Sequence, residues 1–110
     1  MKVYVKEPGC RPKLYKDVDL SLEFIRKTVG GYFETYPLGP GSVIICNEDG
    51  KLINLPFNFS LIDAREGKLN RTEDFVGTVI FAGLKSTNDG MEFSDFEKEL
   101  PAFVNMLAIK

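Results

Sequence analysis

The chain has 110 residues, of which 44% are hydrophobic and 27% are charged, so its composition is that of one folded globular domain over residues 1–110. Its 14 Lys and Arg residues against 16 Asp and Glu residues give a formal net charge of -2. This balance argues against a protein that binds mainly through nucleic-acid phosphates, which would need a basic surface. It also argues against a wholesale DNA mimic, which would carry many uncompensated carboxylates.

The first third of the chain predicts two strands and a helix. Residues 2–6 alternate between apolar and polar side chains, as a strand does, and residues 11–15 are predicted to return beside them. Apolar residues at helical spacing predict a helix over residues 20–29, which Asp19 caps and Gly30 ends.

The middle of the chain predicts further strands. Residues 32–36 are aromatic and favour a strand, and the continuous apolar run at residues 43–46 predicts a central strand covered on both faces. A turn at residues 47–50 predicts that residues 51–55 pair back as a hairpin. Residues 56–74 show no clear periodicity and predict irregular structure.

The last third predicts one more strand and a second helix. Residues 75–84 favour a strand, and a turn follows at residues 88–90. Ser94 and Glu97 have the spacing of a capping box, and apolar residues at helical spacing continue from there to Leu107. Together the elements predict an α+β fold, with a mainly antiparallel sheet and two helices covering one face.

Few residues are suited to catalysis or to metal binding. The chain has no histidine, so it cannot form a Ser-His-Asp or Cys-His arrangement or the usual zinc catalytic site. Its two cysteines are expected as reduced thiols, Cys10 in a loop and Cys46 in the core. We therefore expect no enzyme activity, no metal and no cofactor.

Two features are candidates for binding a partner protein. Glu92, Asp95 and Glu99 belong to an acidic stretch, which either meets a basic groove or forms a solvated helix face. Phe57 and Phe59 either anchor an interface from a loop or fold back to close the sheet edge. These five residues are the predicted partner-binding site.

An alternative function is a small-molecule binder that sequesters a nucleotide signal. Cations around the irregular segment would contact phosphates, and Phe57 or Phe59 would stack on a base. The cations considered are Lys51, Arg65, Lys68 and Arg71.

Several segments together resemble a family of small domains of unknown function found in phages, plasmids and other mobile elements of Firmicutes. The most specific are Val29-Gly30-Gly31-Tyr32 and Cys46-Asn47-Glu48-Asp49-Gly50-Lys51. The others are Met1 to Gly9, Leu55-Pro56-Phe57-Asn58 and Val76 to Gly83.

The resemblance implies a biological setting more than an activity, because the family has no agreed catalytic residues that could be assigned to this chain. Small proteins of such elements often inhibit host defences by binding a nuclease. We therefore expect an inhibitor of a host defence protein, of the anti-CRISPR or anti-restriction type, with no direct contact to nucleic acid. The charged N-terminus is unlike a signal peptide, and no apolar run is long enough to span a bilayer, so we expect it in the host cytoplasm.

Overall fold

A computed structural model describes residues 1–63, 70–98 and 100 of the chain. Within these ranges the chain forms one helix and eight strands, which confirms the α+β class. In chain order they are β1 (Val3–Lys6), β2 (Lys13–Tyr15), α1 (Leu22–Val29), β3 (Phe33–Pro37), β4 (Ser42–Asn47), β5 (Phe57–Asp63), β6 (Asn70–Val76), β7 (Val79–Thr87) and β8 (Gly90–Ser94).

Six of the strands form an antiparallel sheet built around β7. The strands pair in the order β2-β1-β7-β4-β3, and β8 pairs with the second half of β7. Phe81 lies between Tyr4 of β1 and Ile44 of β4, whereas Gly83 lies between β4 and β8. Strands β5 and β6 pair with each other in a separate antiparallel sheet. The prediction of a mainly antiparallel architecture is confirmed.

Helix α1 begins two residues later than predicted. Its cap is Ser21 and not Asp19, because the Ser21 hydroxyl accepts a hydrogen bond from the Phe24 amide at 3.1 Å. The helix ends as predicted, since Gly30 adopts the left-handed conformation and its amide donates to the Arg26 carbonyl.

The main sheet is covered on both faces. On one face, Ile25 and Val29 of α1 pack against alternate residues of the central strands, among them Val43, Ile45 and Ile80. Because successive strand residues point to opposite faces, β4 is buried along its whole length, as the continuous apolar run predicted.

On the opposite face, the β5–β6 hairpin packs against the sheet. Its residues Phe59 and Phe75 have ring centroids 4.9 Å apart, and Phe59 also stacks against Phe81 of the sheet at 5.7 Å. Phe96 packs into the same cluster, with its ring 6.0 Å from that of Phe81. The fold thus has three layers: a helix, the six-stranded sheet and a hairpin.

Two predictions for the middle of the chain are wrong. Residues 51–55 do not pair back as a strand, because the amides of Ile53 and Leu55 donate to the carbonyls of Asp49 and Gly50 and close the chain into a compact loop. In the segment predicted to be irregular, the structure instead shows the hairpin β5–β6 over its described residues.

The predicted start of the second helix is also wrong. Ser94 is the last residue of β8, and the Phe96 amide donates to the Lys2 carbonyl at 2.8 Å, which extends the pairing beside β1. The rest of the predicted helix, at residue 99 and residues 101–110, lies outside the described residues. The described residues therefore do not show two helices on one face of the sheet. Helix α1 covers one face, and the β5–β6 hairpin covers the other.

No helix in the described part of the chain is both long enough and apolar enough to cross a membrane.

Candidate protein-binding surface

The segment from the end of β4 to the first residue of β5 exposes three large apolar side chains, Leu52, Ile53 and Phe57, which we call the apolar loop. Leu52 is 82% exposed, Ile53 56% and Phe57 49%. The hydrogen bonds within the loop fix its backbone, and Leu55, which is half-buried, lies against Gly77 and fastens the loop to the hairpin. The backbone thus holds apolar side chains in solvent at a defined place, which is typical of an interface anchor.

A cleft of about 170 Å³ lies beside the apolar loop, between the β3 edge of the main sheet and strand β6. Leu52 forms part of its wall. Four carboxylates line this acidic cleft: Glu34, Glu48, Glu73 and Asp74. Lys51 is the only cation among its described lining residues, so the cleft carries a formal excess of three negative charges.

Lys51 forms an ion pair at the rim of the acidic cleft. Its ammonium lies 2.6 Å from a carboxylate oxygen of Glu73, and this hydrogen bond raises the pKa of Lys51. Lys51 therefore stays charged at neutral pH and is directed at Glu73. Because both side chains are partly exposed, the pair contributes little to stability and leaves the cleft acidic.

Cys46 lies in the wall of the acidic cleft but is not activated. Burial, and then the nearby carboxylates of Glu34 and Glu73, raise the pKa of the thiol to about 11. Its sulfur lies 3.8 Å from the Glu34 carbonyl oxygen, towards which the thiol can donate. Cys46 is therefore a neutral thiol at physiological pH, and the prediction of an inert core cysteine agrees with this environment.

The two predicted aromatic anchors lie in different environments. Phe59 is fully buried in the core, whereas Phe57 is about half exposed at the start of β5. Regular alternation would place both rings on the same face of the hairpin, but the pairing with β6 shifts register between them. This bulge turns Phe59 into the core and leaves Phe57 at the surface, so only Phe57 can contact a partner without unfolding.

The two described acidic residues, Glu92 and Asp95, lie on and directly after β8, away from the apolar loop. Glu92 is exposed on β8, opposite Lys85 of β7. Asp95 is exposed, but its carboxylate accepts a hydrogen bond from the Lys2 amide at 2.8 Å and so helps to hold the N-terminal strand. Glu99 lies outside the described residues. Phe57 and Glu92 thus lie on separate sheets.

Of the residues considered for nucleotide binding, the structure describes the side chains of Lys51, Phe57 and Phe59. Lys51 is paired with Glu73, and Phe59 is buried. Arg65, Lys68 and the side chain of Arg71 lie outside what the structure describes.

Sequence reasoning missed Leu52, Ile53 and the acidic cleft. A signal for the first two was available, because these apolar residues stand between turn-forming Asn47-Glu48-Asp49-Gly50 and Pro56, where a short strand is a poor fit. No local signal existed for the cleft, because its carboxylates come from β3, the turn after β4 and β6.

The sequence model of a family described as a domain of unknown function, DUF3846, matches residues 1–106. The resemblance to a family of domains of unknown function is confirmed at that level, and the match extends beyond the segments that suggested it. No curated protein and no solved structure matches the chain.

Proposed function

The chain belongs to the DUF3846 family, and we propose that it is a non-enzymatic inhibitor that binds a host defence protein, in the manner of an anti-CRISPR or anti-restriction protein. The apolar loop beside the acidic cleft is the observation that carries this proposal. The resemblance to small domains of phages, plasmids and other mobile elements supplies the setting, which is the cytoplasm of the host cell.

The negative charge of the acidic cleft and the exposed side chains of the apolar loop indicate what kind of partner this surface would bind. Defence nucleases handle nucleic acid through basic grooves, and the acidic cleft offers carboxylates held by strands and a tight turn. Opposite charge accelerates encounter and selects the partner, whereas buried apolar anchors supply most of the binding energy. Leu52 and Ile53 would enter an apolar socket at the edge of such a groove, with Phe57 beside them.

One acidic residue predicted to bind a partner, Glu92, lies outside the apolar loop and the acidic cleft and remains a proposed contact. Glu92 is available on β8 for an extended interface. The other proposed function, sequestration of a nucleotide signal, finds no support at the acidic cleft, because its carboxylates repel phosphate.

The experiment is capture of the partner from host lysate with two matched variants. Tagged wild-type protein should retain a nuclease and inhibit its cleavage once both are purified. The double variant L52S/I53S should weaken binding about a hundredfold, because each anchor is expected to contribute about 1.4 kcal/mol. The control L22S removes an apolar side chain of similar exposure from α1 and should bind as wild type does.

Two results would count against the proposal. The first is a wild-type protein that inhibits no nuclease from a broad panel of defence systems. The second is a double variant that keeps its melting temperature and inhibits as strongly as L22S.

A further inference from the structure

A second cleft, of about 620 Å³, lies on the helix face of the main sheet, at the β2 edge. Lys13 and Tyr15 are two residues apart on β2, so both point towards the same face, where β2 extends past the cover of α1. Phe24, Lys27 and Thr28 have the spacing of one helix face and form the opposite wall. The cleft is therefore a groove between the edge strand and the helix.

The groove concentrates positive charge in a chain whose net charge is negative. Arg11, Lys13 and Lys27 line it and are exposed, whereas Glu7 is the single carboxylate among its described lining residues. In the part of the chain that the structure describes, the one ion pair lies elsewhere, between Lys51 and Glu73. The basic cleft therefore carries a formal excess of two positive charges, and its three cations are available to an anion.

An aromatic ring lies among these cations. Tyr15 is 36% exposed, and the Lys13 ammonium lies 5.6 Å from the centre of its ring. This cation–π contact orients the Lys13 side chain along the groove. The hydroxyls of Thr28 and Thr78 border the same space and can donate hydrogen bonds to an oxygen anion.

We propose that the basic cleft binds a nucleoside phosphate. The phosphate oxygens would accept hydrogen bonds from Arg11, Lys13 and Lys27, and the base would stack on the exposed ring of Tyr15. The volume lies within the range of about 300–1,000 Å³ that small-molecule sites occupy.

The other described clefts fit such a ligand less well. The acidic cleft is smaller and carries an excess of carboxylates. A third cleft, near the start of β1, sets Lys85 and Lys98 against Asp95 and Glu97, so its side-chain charges balance. The basic cleft combines unpaired cations with an aromatic face, and it lies at the opposite edge and on the opposite face of the sheet from the acidic cleft.

Calorimetric titration with ATP, adenosine and tripolyphosphate tests the proposal. ATP should bind more tightly than either of the other two, because only ATP offers both the charge and the ring. R11Q and K27Q should each weaken ATP binding about tenfold, as expected when a hydrogen bond to a charged group is lost. The control K85Q removes a cation from the third cleft and should leave ATP binding unchanged.

Cys10 supplies an independent measurement in the same cleft. Cys10 is exposed and lines the groove, whereas Cys46 is buried with its pKa raised to about 11, so a thiol reagent should modify Cys10 first. ATP at a concentration near its Kd for the wild-type protein should slow alkylation of Cys10, and R11Q should lose most of that protection at the same ATP concentration. The wild-type protein suffices for this measurement, so it does not depend on whether a variant folds.

Three outcomes would overturn the proposal. One is the absence of ATP binding and of Cys10 protection in the wild-type protein. Another is equal weakening by R11Q and K85Q, which would indicate general charge attraction. The third is a single-stranded oligonucleotide that binds more tightly than ATP, which would make nucleic acid the occupant. None of these outcomes affects the protein-binding proposal, which rests on the other edge of the sheet.

Discussion

Lys6 is a charged side chain placed inside the fold. It is fully buried at the end of β1, where its ammonium donates to Oδ1 of Asn58 and lies 5.5 Å from the centre of the Phe59 ring. Asn58 in turn donates to the backbone carbonyls of Lys6 at 2.9 Å and Gly77 at 2.7 Å. Among the described residues, no buried side-chain nitrogen or oxygen of this cluster lacks a hydrogen-bond partner, and these bonds join the main sheet to the hairpin.

The buried ammonium should make stability depend on alkaline pH. Burial lowers the pKa of Lys6 from 10.5, so between the lowered pKa and 10.5 the unfolded chain binds more protons than the folded one. The free energy of unfolding therefore rises with pH through that window, relative to K6M, which has no titrating group there. Chemical denaturation of both proteins from pH 7 to pH 11 measures this difference. A constant difference would show that Lys6 is not desolvated.

The two neighbouring phenylalanines should differ in what they contribute to stability. F59A should lower the free energy of unfolding by about 3–5 kcal/mol, because a core ring is lost. F57A should lower it by about 1 kcal/mol or less, since Phe57 is half exposed. Denaturant titration of both variants checks the contrast. Similar losses of unfolding free energy in F59A and F57A would contradict the bulge that buries Phe59 and leaves Phe57 at the surface.

At the scale of elements, the close approach of β7 to the segment after β8 requires glycine. A Cβ at Gly83 would lie 2.1 Å from the Asp95 carbonyl oxygen, a backbone atom that cannot move aside freely. Because Gly83 has no side chain, the chain from β8 to Phe96 can pass close to β7 and stay beside the sheet. That path replaces the helix predicted from Ser94.

Substitution of Gly83 should therefore be costly. G83A should lower the free energy of unfolding by about 1–3 kcal/mol, because overpacking forces the backbone apart. S86A, on the exposed part of the same strand, is the matched control and should have little effect. A melting temperature of G83A equal to that of S86A would argue against the close packing of these segments.

Some elements of this fold can be predicted from local sequence patterns, whereas others depend on contacts between distant segments. Strand β1 and helix α1 follow from local periodicity and strand β4 from a continuous apolar run, and their predicted ends differ from the observed ones by one or two residues. The hairpin β5–β6 was missed although Phe57, Phe59 and Leu61 alternate with polar residues, because its partner strand β6 begins with five polar residues in a row and shows no alternation. The acidic cleft and the basic cleft depend on which strands become edges, and this is decided by pairing between distant segments.

At the scale of the whole molecule, charge is separated across the main sheet. The acidic cleft lies at the β3 edge on the hairpin face, and the basic cleft lies at the β2 edge on the helix face. The net charge of -2 conceals this division. A basic partner protein at the acidic cleft and a small anion at the basic cleft, as proposed, would therefore bind without competing.

The acidic cleft should act mainly on the rate of association. The double variant E34K/E48K should slow binding to the defence protein and flatten its dependence on salt, since steering is screened over about 8–10 Å. The dissociation rate should change less, because the apolar loop sets residence time. Stopped-flow measurements at several ionic strengths test this. If E34K/E48K associates at the same rate as the wild-type protein at low salt, the acidic cleft does not contribute to binding.

The central claim, that the apolar loop lets this domain inhibit a host defence, is tested most directly by an interference assay in cells. Wild-type protein and L22S should protect an incoming phage or plasmid from a defence system, whereas L52S/I53S should lose that protection while it accumulates and melts as wild type does. Equal protection by L52S/I53S and L22S would contradict the claim, and so would a wild-type protein that protects against no defence system in a broad panel.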